Sequence, residues 1–426
     1  MNETPSGPVA GDSGEFRPVQ RVPRGALWAL AAFAALGAVF GLVSTNDFMQ
    51  HLDRQVHSIH CSFIPGAGAE LGDSGCRAVM MSPYSSFFRE SLWGGIPISL
   101  WAVATFAFLL YRAVVLALRG TATRAEANFL FAATALPVLM TLIYGTLSMV
   151  KVGATCKVCV GIYVCSFAVA IAAFMVWRGV PYQSQGYVRP PYALWFFEGV
   201  GFVVTLTLAY LLFTPGSAAA ARASSCGTLV QAEDPSGVMI RLTSRGNVPS
   251  IEVLDPLCPA CRAFDERLSA SSLKGELQLD AVLFPLDSTC NWMVTEALHP
   301  GACAVSEAML CANGLGNDKD PEAARKVLAW AFKNQEALRG QAEKDEGALR
   351  ARIEKEFPGV KGCLGGTAVK NKLTKSLRWA VANAIPVLTP QLFVRDRRLC
   401  DEDTDLGLEY TLRRAIARGP DAKGKK

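Results

Sequence analysis

The chain has 426 residues, enough for roughly two or three domains, and 51% of them are hydrophobic against 19% charged, a balance that excludes a wholly soluble protein and points to a membrane. The formal net charge of +5 is small for this length and unevenly spread, and no basic stripe with interleaved aromatics marks a nucleic-acid partner. The 13 cysteines, including two Cys-x-x-Cys pairs, point instead to redox chemistry or metal in an oxidising or membrane setting.

Residues 1–25 form a polar tail rich in Gly, Pro and Arg (Arg17, Arg21, Arg24), expected to be disordered and cytoplasmic, and an uncharged run over 26–44 follows. A cleaved signal peptide is the rival reading. The run is long, no small-x-small site follows it and more runs come after, so it reads as a first membrane helix. Further apolar runs over 92–111, 127–150, 158–177 and 192–215, uncharged apart from Glu198 in the last, each come near the roughly 20 residues that cross a bilayer, giving five spans. Arginines in the tail, at Arg112, Arg119 and Arg124, and at Arg178 and Arg189 mark those sides as cytoplasmic, against a smaller counter-signal at Arg54, Arg77 and Arg89. The loops at 45–91 and 151–157, with everything after Pro215, then share the opposite compartment.

The small-residue stretch 214–225 reads as a flexible tether to a soluble domain over 226–417. There a buried strand at 248–254 runs into D-P-L-C-P-A-C-R-A-F and an amphipathic helix, which is thioredoxin grammar. A second strand is expected at 277–284, and helices dominate 302–384, with a strong helix start at Asp320-Pro321-Glu322. A strand at 391–395 follows Leu388-Thr389-Pro390, a last helix covers 406–417, and a basic tail, expected to be disordered, fills 418–426.

Cys258 falls at the first turn of its helix, where unpaired backbone N–H groups favour a thiolate, and Cys261 one turn on can resolve a mixed disulfide. Half of a zinc site, with His299, Cys290, Cys303 and Cys311, is the bland alternative, but these lack the usual second ligand arm, and no metal is expected. Glu252, six residues before Cys258, is placed to sit beneath the disulfide as a buried proton acceptor. With these residues in view, 226–417 resembles a thioredoxin-fold domain of the DsbA-like type with a helical insertion. The resemblance implies that Cys258-Pro259-Ala260-Cys261 is the active site, Glu252 its buried acid and Pro390 its cis-proline, beside a strand edge left open to a substrate.

A second constellation lies in T-C-K-V-C-V-G-I-Y over 155–163, where Cys156 and Cys159 open an apolar segment and Tyr163 follows Cys159 by one helical turn on the same face. Four more motifs precede it in order: I-H-C-S at Cys61, G-C-R-A-V at Cys76, S-P-Y-S from Ser82 and G-I-P-I from Gly95. Together they resemble the bacterial homologues of vitamin K epoxide reductase, quinone-dependent thiol oxidoreductases. The resemblance implies that Cys61 and Cys76 are loop cysteines that shuttle electrons and that Cys156 and Cys159 are the membrane pair, with Cys159 the thiolate that meets quinone. It further implies Ser82 as the loop Ser/Thr and Tyr163 as the hydrogen-bond partner of quinone, with Ser91 roughly where some relatives place an asparagine toward the quinone oxygen. Fourteen residues separate Cys61 from Cys76, more than is typical of that family. A fixed loop staple is the alternative for this pair.

The expected architecture is therefore multi-domain: an all-α transmembrane four-helix bundle (26–180), a fifth helix and linker (181–225), and an α/β thioredoxin-like domain (226–417). Its expected activity is quinone-dependent thiol-disulfide oxidation that generates disulfides in exported proteins, with ubiquinone or menaquinone as cofactor. Exported protein thiols, the membrane quinone pool and the lipid bilayer are the expected partners, and the bacterial inner membrane the expected site. Reduction of an epoxide or quinone as the main output, or a membrane-anchored thioredoxin-like chaperone or binding module, are the rivals. Cys165 is expected to be a free buried thiol, and Cys226, Cys290, Cys303, Cys311, Cys363 and Cys400 an even set of structural disulfides whose pairing the spacing does not choose. His51, His57 and His60 read as solvated loop histidines, with one helical face for metal or protons the alternative. Glu198 is expected at the membrane interface.

Overall fold

The computed structural model describes residues 23–53, 58–70, 75–180, 190–213, 226–243, 246–316 and 322–418. The expectations for most of the N-terminal tail, Arg54, His57, Arg189, the 214–225 tether, Asp320, Pro321 and the C-terminal tail beyond Arg418 lie outside the described residues. Two compact units result, one of 1–45, 60–69 and 99–209, the other of 46–59, 70–98 and 210–426.

Among the described residues five helices are long and apolar enough to cross a membrane: α1 (Arg24–Gln50), then, after the short α2 (Gly75–Met80), α3 (Ile98–Arg119), α4 (Arg124–Leu147), α5 (Lys157–Gly179) and α6 (Tyr192–Phe213). An uncharged run in a bilayer has no water to satisfy its backbone, so it closes its own hydrogen bonds as a helix. Glycines let these helices approach: a Cβ on Gly161 of α5 would lie 2.7 Å from Phe40 of α1, and one on Gly37 of α1 2.7 Å from Phe106 of α3. Thr123 and Glu126 form a reciprocal capping box that fixes the start of α4.

The second span differs from its expected 92–111. Gly94 and Gly95 take φ of 74° and 75°, which only glycine adopts freely, and Ile96–Pro97 pairs with Ser86–Phe87 in a small antiparallel ribbon. The helix starts only at Ile98 and continues past Arg112. That arginine is buried and neutralised by Glu198 of α6 at 3.3 Å, with the Trp195 ring centroid 5.0 Å from its guanidinium. Glu198 thus has a defined ion-pair partner. The third run keeps its expected extent: α4 passes directly into a π-helical turn over Ser148–Val152, closed by Gly153 at φ 68° ahead of Cys156.

The helical-face alternative for the histidines fails on local geometry, and His51 is buried rather than solvated. His51 sits in a 3-10 turn (His51–Asp53), with its Nδ1 2.8 Å from the Asp47 carbonyl, while His60 lies on strand β1 (Ile59–His60), so the two share no helical face.

The second unit holds a five-stranded sheet. Two-residue strands β1, β2 (Ala69–Glu70), β3 (Ser86–Phe87) and β4 (Ile96–Pro97) precede it in the chain. Its own strands are β5 (Ile240–Arg241), β6 (Val248–Leu254), β7 (Leu277–Leu283), β8 (Gln391–Val394) and β9 (Arg397–Arg398), in the order β5-β7-β6-β8-β9. β6 runs parallel to β7 and antiparallel to β8, with Glu252 opposite Ala281 on one side and Leu392 on the other. The crossover between β6 and β7 is α7 (Pro259–Ala270), whose first residue is proline, as its fixed φ suits a first helical turn. The helical insertion comprises α8 (Ala302–Leu310), α9 (Ala323–Lys344), α10 (Glu346–Glu356) and α11 (Thr367–Ala382), and α12 (Leu408–Ala417) closes the domain. Every residue of α8 is buried, making it the centre of the apolar core. The expected order, apolar helices followed by a thioredoxin-type α/β module, is the one found.

The six remaining extramembrane cysteines pair as Cys226–Cys400, Cys290–Cys303 and Cys311–Cys363. The loop that carries β3 and β4 belongs to this same unit and meets its C-terminal end. Arg89 pairs with Glu409 of α12 at 2.8 Å, both nearly sequestered, and the Trp93 indole N–H donates to Asp403 at 3.0 Å. Glu90 accepts from the Ser272 hydroxyl at 3.0 Å and pairs with Arg413.

Candidate active site

At the soluble dithiol, Cys258 is the N-cap of α7 and Cys261 lies in its first turn; both are buried and free. A hydrogen bond from the Cys261 side foremost, aided by one involving Thr389 and outweighing burial, pulls Cys258 down to about 6. Burial, then the neighbouring Cys258 sulfur, pushes Cys261 well above the usual thiol range. The pair is split into one sulfur poised as thiolate and one held as thiol. The Cys258 thiol reaches the Thr389 carbonyl at 3.6 Å, and the Thr389–Pro390 peptide is cis. Two residues that the sequence reading passed over frame this turn. Gln335 of α9 donates its amide to the Cys258 carbonyl at 2.9 Å and the Pro256 carbonyl at 3.3 Å, and the Asp255 side chain accepts from the Leu257 N–H at 2.7 Å. The Asp-Pro dipeptide at the strand end was a signal for Asp255; nothing local marks Gln335, which arrives from the helical insertion.

Glu252 lies in the centre of β6, 2% exposed, and its Oε1 has no hydrogen-bond partner. Burial, with Asp265 adding and Lys274 opposing, pushes its carboxyl up to about 8, so it holds its proton at neutral pH.

In the first unit, Cys156 and Cys159 are joined as a disulfide with their Cα atoms 5.2 Å apart. Cys156 caps α5, its sulfur accepting from the Cys159 N–H at 3.1 Å, and Cys159 opens the first turn. Tyr163 is half-buried one turn on, and its hydroxyl has no hydrogen bond among the described residues. Farther along the same helix Val164, Phe167 and Ile171 expose apolar surface. Cys165 is free and buried. Cys61, just after β1, and Cys76, in α2, are each disulfide-bonded and buried. Ser82 commits its hydroxyl to the Val79 carbonyl at 2.7 Å, and Ser91 is exposed.

Residues 28–174 match the family model described as the Vitamin K epoxide reductase family. The matched stretch, well under half of the chain, is similar to that family. It contains Cys61, Cys76, Cys156, Cys159 and Tyr163, and it precedes the thioredoxin-type module in the chain. No curated protein matches the chain. Among solved structures it is similar to oxidised BdbD from Bacillus subtilis, at 16% identity and TM-score 0.29, over 45% of this chain and 97% of that one. It is similar also to the oxidoreductase DsbA from Xylella fastidiosa, at 18% identity and TM-score 0.27 over 41% and 88% of the two chains. A further likeness is to Proteus mirabilis ScsC, at 16% identity and TM-score 0.28 over 53% and 98%.

Proposed function

We propose that the chain is a quinone-linked protein-dithiol oxidoreductase of a bacterial inner membrane that generates disulfides in exported proteins. The reading is carried by one juxtaposition in the chain: a Cys258 poised as thiolate in a thioredoxin-type module, fused to a reductase-family domain whose Cys156–Cys159 pair caps an apolar helix. The domain division follows the sequence, with the bundle at 26–180 and the module at 226–417.

In this scheme a client thiolate attacks the oxidised Cys258–Cys261 bond at Cys258, forming a mixed disulfide and releasing Cys261 as the leaving thiolate. A second client thiolate attacks its partner sulfur in that mixed disulfide and releases Cys258, the better leaving group because its thiolate is stabilised. Each exchange breaks one S–S bond and forms one, so two electrons now reside in the module. Glu252, protonated at neutral pH, gives its proton to the leaving Cys261 thiolate and takes it back when Cys261 is reoxidised, and Pro390 with the Thr389 carbonyl lines the client's edge. The Cys258 thiolate then attacks the loop disulfide of Cys61 and Cys76, Cys261 resolves the mixed disulfide and re-forms the Cys258–Cys261 bond, and the loop dithiol reduces Cys156–Cys159 by the same two exchanges.

The residues at α5 fit a quinone, because an unpartnered phenol hydroxyl beside a dithiol, on a helix with exposed apolar side chains, suits a flat apolar ring with carbonyl acceptors. When bound, ubiquinone or menaquinone supplies the final acceptor for two electrons and two protons. Cys159 presents sulfur toward it and Tyr163 donates a hydrogen bond; Ser82 and Ser91 enter this site on resemblance alone. Fusion makes transfer between module and loop intramolecular, which raises the effective concentration of the partner.

The full chain in detergent, given a reduced client peptide and a soluble quinone, is expected to consume quinone in step with peptide oxidation. Cys159→Ala is expected to abolish it; undiminished turnover in that variant overturns the scheme.

A further inference from the structure

Pro259-Ala260, the dipeptide between the two cysteines of the module, carries no titratable group. A charge that tunes Cys258 must therefore come from outside the motif, and one is built in beside it. Asp255 follows β6 directly and is 0% exposed. Its Oδ1 accepts from the Leu257 N–H, and its Oδ2 from the Leu286 N–H, each at 2.7 Å. The same Oδ2 lies 2.7 Å from Nδ1 of His299. The backbone of Asp255 meets both sulfur-bearing residues: its N–H points to Cys261 Sγ at 3.5 Å, and its carbonyl accepts from the Cys258 N–H at 3.2 Å.

His299 is anchored through its own N–H on the Leu286 carbonyl at 3.1 Å, and its side chain is 12% exposed. The charged and titratable groups that face it are Asp255, Cys258 and, opposing its charge, Arg339 of α9. Burial works against the imidazolium, yet the hydrogen bond and charge of Asp255, with Cys258 adding, raise its pKa overall.

We infer that His299 is a positioning residue whose protonation sets how readily Cys258 gives up its proton. As imidazolium it neutralises the buried Asp255 carboxylate under the dithiol turn; as neutral imidazole it leaves that anion uncompensated beside a forming thiolate. This rests on the reading of Cys258 as the attacking sulfur. A unit charge at several ångströms in partly screened protein is worth on the order of tenfold in an ionisation constant.

The test uses the full chain in detergent, briefly reduced, with the rate of iodoacetamide alkylation at Cys258 followed against pH by mass spectrometry of its peptide. His299→Asn keeps a donor for Asp255 and removes the charge. It is expected to slow Cys258 alkylation near pH 6 about tenfold and to move the profile to higher pH. In an Asp255→Asn background the same change is expected to matter less than about twofold, because without the hydrogen bond and charge of Asp255 burial leaves His299 uncharged and there is no cation left to remove. A His299→Asn profile that superimposes on the wild type overturns the inference. If that variant does not fold, the wild-type profile still decides: it is expected to show a second inflection where His299 titrates, and a single-step profile overturns the inference. Failure of the wild type to couple client oxidation to quinone would instead overturn the functional reading, whatever the alkylation profile shows.

Discussion

Replacing Glu252 by Gln is expected to turn a pH-dependent module into one whose stability varies far less with pH. In the folded chain burial moves this carboxyl from 4.5 to about 8. The raised value sets the sign. Below pH 4.5 the group is protonated whether the chain is folded or not, and nothing is lost. Between 4.5 and about 8 the unfolded chain ionises while the folded one holds its proton, so folding stability declines across that window and levels off above it. At about 1.4 kcal/mol per pKa unit the full loss is about 5 kcal/mol, a large share of a domain's usual margin. Glu252→Gln removes the titration, so its stability relative to wild type is expected to rise by up to about 5 kcal/mol between pH 4.5 and 8.5. Urea unfolding read by pulse proteolysis of the module measures this, and the difference between variant and wild type cancels the other titrating groups. A difference that stays constant with pH to within about 1 kcal/mol refutes the assignment of a neutral buried acid.

Alkylation of Cys258 is expected to rise with a midpoint near pH 6, as its lowered pKa requires, while Cys261 stays unreactive across the same range. Burial pulls Arg89 down and pushes Glu409 up, each against the attraction of its partner. Arg89→Met alone is therefore expected to destabilise the second unit by about 3–5 kcal/mol, but Arg89→Met with Glu409→Leu by far less, measured as a double-mutant cycle on urea midpoints. Cys226–Cys400 bridges a separation of 174 residues, and Cys226→Ser with Cys400→Ser is expected to lower module stability by about 3–5 kcal/mol in the same assay.

Much of this was legible because its signals are local. Uncharged runs gave the five apolar helices, and a strand ending in D-P-L-C-P-A-C gave the dithiol at a helix start. What stayed hidden depends on contacts across the chain. Composition alone extended the second span back to Leu92, whereas Gly94 and Gly95 turn the chain there; it also stopped the span at Arg112, whose charge Glu198 cancels from 86 residues away. α8 carries no amphipathic rhythm because all its faces are buried, so only the tertiary structure reveals it as the core. The histidines at 51 and 60 were counted with a helical period in a stretch that folds as a 3-10 turn and a strand. The partners of Asp255 come from segments 31 and 44 residues later, a distance over which spacing carries no information.

The meeting of the 86–97 loop with the end of the module bears on how such a chain can be divided. A Cβ on Gly407 would collide with the Trp93 indole, so that glycine is a seat shaped for one side chain supplied by the other half of the chain. A separately made module would present that seat, the Asp403 acceptor and the nearly sequestered Glu409 to water. Dividing the gene in two therefore asks for more than a stop codon in the tether: the face around Gly407 must be rebuilt as surface, or the two products must continue to find each other through it.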